Sequence, residues 1–184
     1  MKPALAFILF SSILILNSCK DKLCDEPNTI HIPDTKDSKL TFHWQVWTSP
    51  NPNPSNAKPV ASPLEDNAFI ELHDSVNTSI ALVAEDPKAG VKCVKITEAS
   101  YVVACSNADK TLSEARAKLP AIEICKSGKT CCLISQQASV ENIGQYIKCK
   151  EGKTFYSGRL QLTGIVESCA GNSQVMALSI GFKK

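Results

Sequence analysis

Nine cysteines are the residues of this chain best equipped for chemistry: Cys19, Cys24, Cys93, Cys105, Cys125, Cys131, Cys132, Cys149 and Cys169. Thiols can oxidise in pairs, bind a metal as thiolates or carry a covalent group, and spacing discriminates among these uses. Structural zinc sites pair their cysteines two to four residues apart. Here the densest run reads Cys125-x5-Cys131-Cys132-x16-Cys149, which fits that pattern poorly. A Cys-x-x-Cys redox pair is absent from the sequence. Oxidation in pairs is the better reading, and it requires an exported chain. An odd count then leaves one cysteine to be explained. If that one is Cys19, the other eight are disulfide candidates. Ranked by proximity along the chain, Cys93 pairs with Cys105, Cys125 with Cys131 or Cys132, and Cys149 with Cys169. Cys131 and Cys132, being adjacent, go to different partners.

Other chemistry is thin. His31, His43 and His73 show no metal-ligand spacing and read as surface residues. The chain contains no Gly-x-Ser-x-Gly elbow and no phosphate loop, and it suggests no cofactor. Glu85 and Asp86 follow an alternating run; two carboxylates are too few for a calcium site and read as a solvated turn. The 20 basic and 18 acidic residues are dispersed, which argues against a nucleic-acid partner.

The N-terminus supplies the address. A single Lys2 precedes an apolar run from Ala4 to Leu16. As a helix this run reaches about 20 Å, against roughly 30 Å of bilayer hydrocarbon, so it suits a secretory signal better than a permanent anchor. The run ends in Leu16-Asn17-Ser18-Cys19, with charge beginning at Lys20. This resembles the lipobox of bacterial lipoproteins. The resemblance implies cleavage before Cys19, acylation of its thiol and of the new amine, and attachment to a membrane of the cell envelope. It also removes the odd cysteine. Lys20-Asp21 further resembles a tag that sends such proteins to the outer surface of two-membraned bacteria. Segment 1–18 is then a signal peptide and 19–38 a polar tether.

The remainder, 39–184, reads as one domain. Alternation in "KLTFHWQVW" sets Leu40, Phe42, Trp44 and Val46 against His43, Gln45 and Trp47. Period two with aromatic and β-branched residues predicts a strand. An exposed tryptophan on the second face could stack on a sugar. Segment 48–63 holds Pro50, Pro52, Pro54, Pro59 and Pro63 and predicts a loop. Strands follow around Phe69 and over 78–87, with Ile80, Leu82 and Ala84 on one face. Another runs from Val91, breaking near Glu98 and resuming at Tyr101. Thr111 and Glu114 have capping-box spacing and predict a short helix to Leu119. Val140, Ile143, Gly144 and Ile147 predict a second. "RLQLTGIV" and "QVMALSIGF" flank a Gly171-Asn172 turn and predict a closing hairpin, with Leu160, Leu162, Val166, Met176, Leu178, Ile180 and Phe182 inward.

"SIALVAEDPKAGVKCVKI" and the closing hairpin resemble bacterial immunoglobulin-like domains. The expected fold is therefore mainly β: an immunoglobulin-like antiparallel sandwich with one or two short helices, stapled by disulfides. The expected role is a membrane-anchored binding or scaffolding module whose partner is a glycan or an envelope protein. An accessory subunit or an enzyme with a loop-built site is the alternative, and a purely structural envelope protein is a third reading.

Overall fold

The computed structural model describes residues 28–30, 38–50, 58–73, 76–126 and 132–183. The signal segment, Cys19, Cys24 and Cys131 lie outside the described residues.

Twelve strands follow one another as β1 (Thr29–Ile30), β2 (Thr41–Pro50), β3 (Lys58–Pro63), β4 (Phe69–Glu71), β5 (Val76–Glu85), β6 (Val91–Ser106), β7 (Leu112–Lys118), β8 (Ile122–Ile124), β9 (Cys132–Leu133), β10 (Ser135–Val140), β11 (Thr154–Ser168) and β12 (Ser173–Lys183). They form two sheets. One runs β10-β5-β2-β3; the other runs β1-β9-β6-β11-β12-β4, with β7 and β8 also pairing β6. All pairings are antiparallel except β12 with β4. The inward faces meet in one core built on Trp44, Ile80, Leu82, Leu160, Leu162, Ile180 and Phe182. The molecule is thus a mainly β sandwich.

Alternation built these faces where it was clean. Ile80, Leu82 and Ala84 point inward on β5, and the β11–β12 hairpin carries its apolar set to the core as expected. The long β6 does not break near Glu98. Glu98 pairs Thr163 while Ile96 pairs Gly164, so Thr97 is an extra residue, a bulge. The bulge flips the parity of the strand. Before it Val94 and Ile96 are buried; after it Ala99, Val103 and Cys105 are.

Three local expectations are corrected. Segment 111–119 is the strand β7, lying along the second half of β6 with Arg116 opposite Val102. Thr111 does not cap a helix: its hydroxyl donates to Asp109 Oδ1 at 2.6 Å and closes the β6–β7 turn, in which Lys110 has φ 65°. An open strand edge outweighed helix propensity. Segment 140–147 forms only a three-residue 3-10 turn, Ile143–Gln145, with Val140 ending β10. Part of the proline-rich segment is also strand: β3 pairs β2 at the sheet edge, where missing N–H groups do no harm.

Gly164 lets the two sheets close. A Cβ there would lie 2.3 Å from Leu82 Cδ2 and 3.1 Å from Trp44 Cζ2. Gly164→Ala is therefore expected to cost about 1–3 kcal/mol through overpacking, read as a fall in urea midpoint at unchanged slope. Wild-type stability in that variant would show that the indole and Leu82 can retreat.

Candidate functional site

Among the described residues six cysteines are bonded in three pairs: Cys93–Cys125, Cys105–Cys149 and Cys132–Cys169. Each pairing ranked from chain proximity is corrected. Cys93 and Cys105 share the single strand β6, and twelve extended residues separate them by about 40 Å. Cys149 and Cys169 lie beyond opposite ends of β11. Cys125 goes to Cys93 on β6 and Cys132 to Cys169 in the turn after β11, not to each other.

Two polar clusters flank these bonds. Cys93, Glu123 and Cys125 converge, but the two sulfurs are spent on each other and are not a ligand set. Glu123 and Glu167 instead hold the Lys95 ammonium at 3.2 and 3.1 Å. The hydrogen bond from Lys95 to Glu167, then that to Glu123, pushes its pKa above the ordinary lysine value. The second cluster is at Asp86, which is not a solvated turn residue: it is 0% exposed. Its Oδ1 accepts from the backbone N–H groups of Ala89, Lys88 and Lys39 at 2.9, 3.1 and 3.2 Å. Its Oδ2 accepts from the Ser38 hydroxyl at 2.6 Å. Burial pushes this carboxyl up, but the donors, led by Ala89 and Ser38, outweigh it and hold the pKa below the ordinary aspartate value. Asp86 therefore clasps Ser38 and Lys39, just ahead of β2, to the body. On the same end, β1 pairs β9, Ile134 N–H donates to Asn28, and Asp86 N–H donates to Ile134.

A concavity lies at the opposite end. It is a cleft of about 400 Å³ between the start of β5, the 3-10 turn and the start of β11. The size falls in the range of small-molecule sites. Lys148, Lys153 and His73 supply its basic groups, and Asn77, Asn142 and Gln145 supply amides. Leu72, Val76, Ile147 and Phe155 form apolar walls, and among the described residues no carboxylate lines it. Three local features shape it. Asn142 takes φ 47° and turns the chain from β10 into the 3-10 turn. Its backbone N–H donates to Ser79 Oγ at 3.1 Å, docking that turn on β5. The Cys105–Cys149 bond then pins the segment after the turn to β6. Lys153 Nζ donates to Ser113 Oγ at 2.9 Å.

A shallower trough lies on the outer face of the larger sheet. Its floor is Val102, Ala104 and Gly181, and its rim carries Arg116, Arg159 and Phe69. Phe69 is 70% exposed and its ring lies over Gly181. Trp47 does not supply an exposed stacking face: it sits opposite Pro59 of β3, half-buried, with its indole nitrogen enclosed.

The sequence alone does not display the cleft, because its residues come from three stretches, 72–78, 142–149 and 153–155. His73 is exposed, as expected of a surface histidine, and it also borders the cleft with Lys148 and Lys153, which the fold gathers there.

No family model matches the chain, and no curated protein matches it. Among solved structures it is similar to the Pseudomonas fluorescens alkylpurine DNA glycosylase AlkC bound to DNA containing an abasic site analogue, at 13% identity and a TM-score of 0.27. That match covers 80% of this chain and 31% of the glycosylase, so the chain spans about a third of that protein's length. A Bordetella pertussis protein bearing the name ApaA is similar at 9% identity and a TM-score of 0.23, covering 83% of this chain and 95% of that one. A structural-genomics target is similar at 11% identity and a TM-score of 0.24, covering 79% and 86%. Likeness this distant carries no functional argument.

Proposed function

We propose that this chain is an exported lipoprotein, anchored through acylated Cys19, whose sandwich binds a ligand or scaffolds a partner in the cell envelope. Three disulfides carry the export half of this reading, because such bonds persist in oxidising compartments. The lipobox-like Leu16-Asn17-Ser18-Cys19 supports the anchor. Two or more acyl chains hold a protein stably to a bilayer, where one holds it marginally. Among the described residues no helix is long and apolar enough to cross a membrane. The binding half rests on the cleft, whose cations and amides suit holding a ligand. A loop-built enzyme is the second reading, favoured by the same gathering of His73, Lys148 and Lys153 in a concave site.

Cys19→Ala is expected to move the protein from the membrane fraction to the soluble fraction, read by fractionation of cells and an immunoblot. Unchanged membrane attachment would refute the anchor. Intact mass of the native protein should show a chain beginning at residue 19 and carrying fatty acyl groups.

A further inference from the structure

We propose that the cleft binds a carboxylated sugar, and that it does so facing away from the membrane that holds the protein. This rests on the anchored-binder reading for its orientation, and on the cleft alone for its chemistry.

Among the described residues the lining carries positive charge and no carboxylate. Lys148 and Lys153 bring two ammonium groups, while the site's other polar side chains are amides, a hydroxyl, a disulfide sulfur and an imidazole. Such a set attracts an anion. It lacks the parts that make a strong phosphate site, however. Phosphate is held most firmly by arginine forks, helix N-termini or a glycine-rich backbone cradle, and lysine adds to these only a point charge. This lining has no arginine, and its one helical element is three residues long. A carboxylate asks less, and one or two lysines suffice. The amides of Asn77, Asn142 and Gln145 each offer a donor pair and an acceptor, the complement of vicinal hydroxyls. Phe155 and Ile147 supply an apolar wall for the C–H face of a pyranose ring.

Orientation follows from β5. Val76 to Thr78 line the cleft, and Glu85, ten residues from Val76 inclusive, ends beside the clasp. That strand spans about 30 Å. The chain leaves the body toward Cys19 from Asn28, at the clasp end. Fully extended, Cys19 to Asn28 reaches at most about 30 Å. The clasp end is therefore the one held near the bilayer, and the cleft opens to the far side. Headgroups of the anchoring membrane are poorly placed to fill it.

The test uses the native lipid-bearing protein, first in detergent micelles and then in phosphatidylcholine vesicles. Calorimetry with a trigalacturonate probe should give saturable binding that weakens with salt. The neutral methyl ester of that probe should bind at least tenfold more weakly. Lys148→Gln combined with Lys153→Gln should weaken trigalacturonate at least tenfold, while Lys118→Gln, on the outer sheet face, should not. Affinity in vesicles should equal that in micelles. Equal affinity for the ester, or no binding of the acid, overturns the ligand class; stronger binding of inorganic phosphate reassigns the site to phosphate. Loss of binding on reconstitution overturns the orientation. Vesicle flotation reads the anchor separately, so a failed anchor and a failed cleft give different results.

Discussion

Asp86→Ala is expected to destabilise the sandwich by about 3 kcal/mol or more, because it strands several donors around a fully buried position. Three backbone N–H groups and the Ser38 hydroxyl end on this one carboxylate. Loss of the clasp also frees Ser38 and Lys39 from the body, so limited proteolysis should cut near residue 38 in the variant at conditions that spare the wild type. Asp86→Asn keeps Oδ1 as the acceptor for three of the donors and should recover most of the loss. Asp86 also gives stability a pH dependence. Its folded pKa lies below the ordinary 3.8. The carboxylate's contribution is therefore complete at pH values above 3.8 and is lost as pH falls below it, through the folded pKa. In urea melts, wild type should lose more stability than Asp86→Asn between pH 5 and the acid end of that window. Parallel curves for the two proteins would show that the ionised form is not what the site prefers.

How much of this was legible from residues alone differs by element. β5 and the β11–β12 hairpin alternate between one buried and one wetter face, so period two reads them directly. β6 alternates too, but Thr97 shifts the phase, and a phase shift in one strand looks like a strand break until its partner is known. Leu112, Ala115 and Leu119 fit a helical face, yet β7 is mostly exposed and draws its order from the β6 edge. Nothing local records an edge supplied from elsewhere. The same holds for Asp86. An aspartate before proline looks like any turn, and only Ser38 and Lys39, nearly fifty residues upstream, convert it into a buried acceptor. The cysteines state that disulfides form, while partner choice follows from strand order: β6 carries two of the bonded cysteines to opposite ends of the body. Sites assembled across strands are invisible for that reason, and the cleft is such a site.

That division of the disulfides between two ends separates stability from binding. In the chain-entropy picture each bond closes a loop of 32, 37 or 44 residues, so each should contribute about 4 kcal/mol, somewhat less where the loops interleave. Cys93→Ser with Cys125→Ser and Cys105→Ser with Cys149→Ser are therefore expected to lower the melting temperature by similar, large amounts. Their effects on the cleft should differ. Cys149 is part of the cleft wall, and its bond to β6 fixes the segment that carries Lys148 and Lys153. Cys93–Cys125 lies toward the clasp end, beside Lys95 and Glu123. At a temperature where both variants remain folded, the Cys105/Cys149 variant should lose anionic-ligand affinity at least tenfold and the Cys93/Cys125 variant should keep it. Ordering a freed segment on binding costs conformational entropy that the bond otherwise removes in advance. Equal affinity in the two variants would mean that the 3-10 turn holds its shape through Asn142 and Ser79 alone. Equal loss in both would mean that the sandwich transmits damage from one end to the other.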